Sequence, residues 1–445
     1  MDGAEGADRY VFFLDENRSR NLQVSDSGTG EEIDRINTFL SQNSDVVVLD
    51  GTDVTLVNDR LTFDPTIETI EILAGDGDDQ IDIRRFDGVR FLRIRGGNGN
   101  DTISVNGGFG VENISLIGNE GNDTFDLESA TQVGFLSAFG NEGEDFYRVG
   151  EDYYRNSSIN GGDDNDRYDI SFADRGRRFL AVADSGEGGN DTAIVRGSDV
   201  ATQLTLRASG INSPFQLIGT TRQIESLELI GTEGRDIITM FAAPVVDTTI
   251  NTLTGSDILN INSNNGSENL NVNLGAEGDI ANVISTAPGT STTINAGIDD
   301  DLVNLGSPLA PDSGNLDALQ GALTVSLGTG NDRLYLNDSQ SAGAHGYTLT
   351  DSQVLNNDSV RNRNFSGLSY SGADFLQIRS NAQLNQYTVT PSETVRFLLD
   401  GNSPQTNQLT VTGSGDGREL FLSGEFAGVW SFDSLRDIQF EQFAI

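Results

Sequence analysis

Asp79, Asp101, Asp123, Asp145 and Asp166 recur at steps of 22, 22, 22 and 21 residues, and glycines precede each of them. A carboxylate behind a glycine-rich corner offers negative charge together with backbone carbonyls that are free to turn toward an ion. Calcium favours such a donor set, taking roughly six to eight oxygens in tolerant geometry. The candidate ligands are Asp79 with Gly75 and Gly77, Asp101 with Gly97 and Gly99, Asp123 with Gly121, Asp145 with Gly143, and Asp166 with Gly162. Asp191 and Asp332 carry the same motif out of step with their neighbours and complete the candidate set. The alternative chemistry is a ladder of side-chain to backbone hydrogen bonds, which Asp and Asn form readily at turns without metal.

A fixed period of this length requires stacked repeats. Apolar residues stand two and four places after each aspartate, as in Ile81 and Ile83, Ile103 and Val105, Phe125 and Leu127, Tyr147 and Val149. A second alternating stretch lies seven and nine places before it, as in Ile72 and Ile70, Ile94 and Leu92, Leu116 and Ile114. Period-two alternation of this kind predicts half-buried strands on both sides of every motif. The expected fold class is all-β, a right-handed parallel β-solenoid (β-roll or β-helix). It has about 22 residues per turn, with wider turns at 22–70, 185–230 and after 306.

The stretch GGNGNDTISV around Asp101 resembles the nonapeptide calcium-binding repeat of RTX (hemolysin-type) proteins, as do the partial copies AGDGDDQIDI, GNEGNDTFDL and LGTGNDRLYL. That resemblance implies calcium held between the glycine-loop carbonyls and motif aspartates of successive turns. It also implies a segment of a large exported bacterial surface protein or adhesin. One motif per turn would give a single file of ions. At Asp236 the preceding Arg235 stands in for a cation, and Asp257, Asp279 and Asp301 lack the full glycine set and read as structural.

The chain carries 68 acidic and 27 basic residues, all of the latter arginine, for a net charge of −41. Nucleic acid is therefore a poor partner, and no apolar run of membrane-spanning length is present. The absence of cysteine removes disulfides and thiolate metal sites. The expected location is extracellular or on the cell surface, although MDGAEGADRY shows no secretory signal. The final SLRDIQFEQFAI reads as a strand before a motif with no corner after it, as in an excised piece with an open edge.

A longer repeat overlies the short one. LQVSDSG (22–28) matches LAVADSG (180–186), and IEILAGDGDD (70–79) matches LELIGTEGRD (227–236), at an offset of about 157. The expected organisation is one continuous solenoid over 1–445, with 22–180 and 180–305 as internal copies and 306–445 as looser turns with insertions. SPLAPDSG reads as a protruding loop, and EEIDRINTFLSQ (31–42) has a helix-compatible composition that the pattern does not favour.

The expected function is a non-enzymatic, calcium-binding structural or adhesive segment that folds on calcium outside the cell. Its expected partners are calcium ions, surface glycans or further copies of itself. The competing function is a carbohydrate-active β-helix module, either a lyase or epimerase or a glycan-binding domain. For that reading His345 beside Tyr347, the arginines 84, 90, 93 and 95, and Asp299–Asp300–Asp301 are the available side chains.

Overall fold

The computed structural model describes all residues except 1, 4–5, 16, 27–32, 87, 108–109, 131–132, 152–153, 173–177, 187, 199–202, 221–222, 308–312, 358–364, 403–406, 414–418, 425–426 and 444–445. Most of SPLAPDSG lies outside these residues. Among the described residues the chain is all-β, and its one helical element is a single 3-10 turn at Leu316–Ala318. The helix-compatible stretch at 31–42 contains a strand, Arg35–Phe39, which pairs in parallel with Arg9–Phe13 on one side and Thr69–Asp76 on the other and buries Ile36, Asn37 and Thr38. The chain divides into two compact units, Met1–Ala201 with Ser209–Leu227, and Thr202–Ala208 with Glu228–Ile445.

In the first unit the strands before the motif are Thr69–Asp76, Phe91–Asn98, Asn113–Glu120, Val133–Glu142, Tyr154–Asp163 and Arg178–Ala183, each pairing in parallel with the next. The strands after it, from Gln80–Phe86 through Thr192–Arg196, form a second parallel ladder. Register follows from the repeat length, because a shift of one residue would turn every apolar side chain outward. One resulting column runs Ile81, Ile103, Phe125, Tyr147, Tyr168 and Ala193, all fully buried. Within it Phe125, Tyr147 and Tyr168 stack with ring centroids 4.7 and 5.1 Å apart. The two buried hydroxyls donate to the carbonyls of Asn160 and Ala183, at 2.7 and 3.0 Å, so the stack buries no orphan donor.

The wide turns are antiparallel insertions. Val46–Gly51, Asp53–Thr55 and Asp59–Phe63 form a three-stranded meander in the first unit, and Gly210–Asn212 folds back on Gln216–Thr220. In the second unit Gly346–Leu349, Gln353–Asn356 and Leu368–Ser371 repeat the device. The alternating pattern alone does not distinguish these hairpins from parallel strands, since both bury every second residue.

The second unit stacks Ile237–Met240, Ile258–Ile261, Ile280–Val283, Leu302–Leu305, Arg333–Asn337, Phe375–Arg379 and Arg396–Asp400 in one parallel ladder. Asp247–Asn251, Asn269–Ala276, Ser291–Ile298 and Ala322–Ser326 form another. The last strand, Ile438–Glu441, pairs in parallel with Arg396–Asp400 and antiparallel with Ala427–Ser431. The open edge expected for it is therefore covered, by a hairpin that the sequence pattern does not announce.

Candidate metal centres in a carboxylate ladder

The motif aspartates form one continuous device in each unit. In the first, the backbone N–H of Asp45 donates to Asp79 Oδ1 at 2.7 Å, Asp79 to Asp101, Asp101 to Asp123 and Asp123 to Asp145 at 2.8 Å each. Asp145 donates to Asp166 Oδ1 at 2.8 Å and Asp166 to Asp191 Oδ1 at 2.7 Å. In the second unit the line runs from Asp236 through Asp257, Asp279, Asp301 and Asp332 to Asp374, over 2.7–3.1 Å. A second line runs the opposite way one residue earlier. There Asn100 N–H donates back to Asp78, Asn122 back to Asn100 and Glu144 back to Asn122. The N-D pair of the motif thus satisfies two adjacent corner donors, one from each neighbouring repeat.

The ladder occupies Oδ1 at every step but the last, where the Asp332 N–H donates to Asp374 Oδ2. Oδ2 of Asp79, Asp101, Asp123, Asp145, Asp166, Asp257, Asp279, Asp301 and Asp332 is buried and accepts no hydrogen bond. It rests against the backbone of its own corner: a Cβ on Gly96, Gly118 or Gly140 would lie 1.9, 1.7 or 1.6 Å from Oδ2 of Asp101, Asp123 or Asp145. Burial, with help from the neighbouring carboxyls, pushes Asp79 up to about 7, Asp123 to about 7, Asp145 to about 8 and Asp166 to about 8. Asp101 rises to about 6, again chiefly through burial.

The last turns show what that enclosed position accommodates. Asn385 Oδ1 accepts the His345 N–H, and its Nδ2 donates to the carbonyls of Asn381 and Gln383, each at 2.9 Å. Asn407 repeats the arrangement, accepting from Asn385 N–H and donating to the carbonyls of Gly401 and Gln442. An amide places a donor among the corner carbonyls, where an aspartate needs a proton or a cation. Asp123→Asn is accordingly expected to raise the melting temperature at about pH 8 in the absence of calcium. Asp123→Ala should instead cost about 1–3 kcal/mol by stranding the buried Asp101 N–H. Thermal melts of the two variants decide this, and equal losses from both would contradict it.

The remaining candidates fall into place around the ladder. Gly75, Gly77, Gly97, Gly99, Gly121, Gly143 and Gly162 all adopt positive φ at the corners. Asp236 is capped by the Thr232 N–H at 2.7 Å, while Arg235 acts electrostatically on Asp257. Asp299, Asp300 and Asp301 accept from the backbones of Glu277, Asn331 and Asp279 respectively. His345 is buried and its N–H occupies a ladder position. Arg84 pairs with Asp82 and Arg90 with Glu112 at 2.8 and 2.9 Å, while Arg93 and Arg95 face Glu71 at 3.9 and 3.8 Å.

Carboxylates converge in threes at two places among the described residues, Asp166 with Asp184 and Asp191, and Asp8 with Asp26 and Asp34. In each group one oxygen per residue lies within 4.8 Å of the others. Such oxygen-only clusters have the chemistry to hold a metal ion of the hard class. Sequence reasoning found Asp166 and Asp191 and missed Asp8, Asp26, Asp34 and Asp184. The available signal was the longer repeat, since LQVSDSG contains Asp26 and LAVADSG contains Asp184.

No model of a known protein family matches the chain, and no curated protein is significantly similar to it. Among the described residues, no helix is long and apolar enough to cross a membrane.

Proposed function

We propose that this chain is a calcium-binding structural segment of an exported or cell-surface bacterial protein, a right-handed parallel β-solenoid of RTX-like repeats that serves as a stiff, adhesive or spacing element. The observation that carries the reading is the row of buried carboxyls, each with one oxygen lacking a hydrogen-bond partner, in a chain of net charge −41. Groups of this kind are tolerated when neutralised, by protons or by cations. In calcium-poor surroundings near neutral pH, the ionising corners disfavour stacking. Extracellular calcium, sufficient for sites of about 10⁻⁴–10⁻³ M, offsets that charge where carboxylates converge and couples binding to folding. The long parallel ladders, with every rung in register, supply the framework such coupling needs, because each repeat rests on its neighbours.

The experiment is a calcium titration of EDTA-stripped protein near pH 8, followed by circular dichroism and thermal melting. A gain in strand signal or a calcium-dependent rise in melting temperature of several degrees is expected. An unchanged signal and melting point would remove calcium from the proposal.

A further inference from the structure

The two carboxylate triads are the same site twice. Asp8, Asp26 and Asp34 precede Asp166, Asp184 and Asp191 by 158, 158 and 157 residues, the offset of the longer internal repeat. The correspondence extends to the hydrogen bonds. Asp8 N–H donates to Asp34 Oδ1 at 2.8 Å, as Asp166 N–H does to Asp191 Oδ1 at 2.7 Å. Asp34 N–H donates to Glu68 Oε2 at 2.9 Å, as Asp191 N–H does to Glu225 Oε2 at 2.9 Å. Tyr10 and Tyr168 also correspond. Burial raises both phenols, and the three carboxyls of the adjacent triad raise them further.

Register explains why three carboxyls meet here and not at other corners. At Asp101, Asp123 and Asp145 the residue five places before the aspartate is a glycine, and its stacked neighbour is the next repeat's glycine, as Gly140 and Gly161 are. At the two triads the neighbour is an aspartate. Gly3 pairs with Asp26, and the register Asn160 to Ala183 sets Asp184 beside Gly161. Asp184 Oδ1 then takes the Gly162 N–H at 3.1 Å. The third carboxyl enters the space where the motif carboxyl already rests against glycine, with Asp166 Oδ2 enclosed and accepting no hydrogen bond. Asp166, Asp184 and Asp191 are only 2%, 3% and 1% exposed.

We propose that Asp8–Asp26–Asp34 and Asp166–Asp184–Asp191 are two equivalent divalent-cation sites, each straddling the start of one copy of the internal repeat and pinning the start of a wide turn to the preceding repeat. The placement gives the ion a mechanical task. Each triad joins two strands that pair in parallel, Arg9–Phe13 with Arg35–Phe39 and Arg167–Ser171 with Thr192–Arg196, to the end of the strand between them. Beyond each triad the chain leaves for an antiparallel insertion. Donors that are all oxygen, without histidine or thiolate, select a hard cation. Close packing favours calcium over magnesium, which retains several of its own waters. The proposal rests on the calcium reading above only for the choice of ion.

The test is calcium binding to the full chain by isothermal titration after EDTA treatment, near pH 8, with terbium luminescence excited through tyrosine as a second readout. Two sites per chain are expected to dominate. Asp184→Asn should remove one and Asp26→Asn with Asp184→Asn both, while Asp123→Asn in the regular ladder leaves two. Tyr10→Phe with Tyr168→Phe should weaken the terbium signal several-fold, an expectation that holds even if an aspartate variant fails to fold. Calcium stabilisation with a stoichiometry untouched by Asp26→Asn and Asp184→Asn, or with terbium emission indifferent to the tyrosines, would overturn the paired sites and leave the functional reading standing. Absence of any calcium effect on binding or melting would end both.

Discussion

Stripped of divalent cations, the protein is expected to lose stability as pH rises from about 5 to about 8, with the melting temperature falling on the order of 10 °C. The groups responsible are Asp79 and Asp123, near 7, and Asp101, near 6, with Asp279 near 7 and Asp301 near 6 in the second unit. Burial raises each of them above the unfolded value of 3.8. Below about pH 4 both folded and unfolded chains hold these protons, and the full stability is present. Between there and the folded values only the folded chain holds them, so each carboxyl costs about 1.4 kcal/mol for every unit that pH rises. Above the folded values the loss is complete. Surface carboxylates titrate near 4, so the interval above about 5 isolates the buried ones. Melts in EDTA across this range check the prediction, and a melting temperature that is flat or climbs with pH would contradict it.

Gly97→Ala is expected to be among the most damaging single substitutions in the chain, costing about 3 kcal/mol or more. Gly97 has φ +131°, and a Cβ there would lie 1.7 Å from the Gly75 carbonyl oxygen and 2.7 Å from its carbon. Positive φ is not the deciding term. Asn119 and Asn141 hold φ of 92° and 86° at the equivalent corner position while carrying side chains. What decides is where the larger φ of Gly97 aims a Cβ, into the Gly75 carbonyl, and the Gly75 corner cannot retreat without breaking the Gly77 N–H bond to the Asn98 carbonyl. An alanine keeps the carbonyl that a calcium ligand would need, so the loss should appear equally with and without calcium. Denaturant melts in EDTA and in calcium measure this, and a deficit confined to the calcium condition would assign Gly97 to the ion instead of the stack.

Much of this structure was legible in one dimension because a stacked repeat writes its contacts at a constant spacing. The apolar pairs flanking each aspartate, such as Ile103 with Val105 and Leu92 with Ile94, determined two parallel strands per repeat and their register. The glycines marked the corners for the same reason, since pairs such as Gly75 and Gly97 or Gly77 and Gly99 lie one on the other at a distance that excludes a side chain. Period-two alternation is blind to strand direction, however, so the meander at 46–63 and the hairpin covering Ile438–Glu441 became visible only in three dimensions. The aspartates were identified as the chemical feature by type and spacing, but their chemistry was not decided by either. Tertiary structure assigned Oδ1 of most of them, Asp79 through Asp166 among them, to a neighbouring backbone N–H and enclosed Oδ2, because successive corners stack close enough for a side chain to reach across. It also brought Asp26 to Asp8 and Asp34, and Asp184 to Asp166 and Asp191, since residues so far apart in sequence meet only where one repeat is laid on the next.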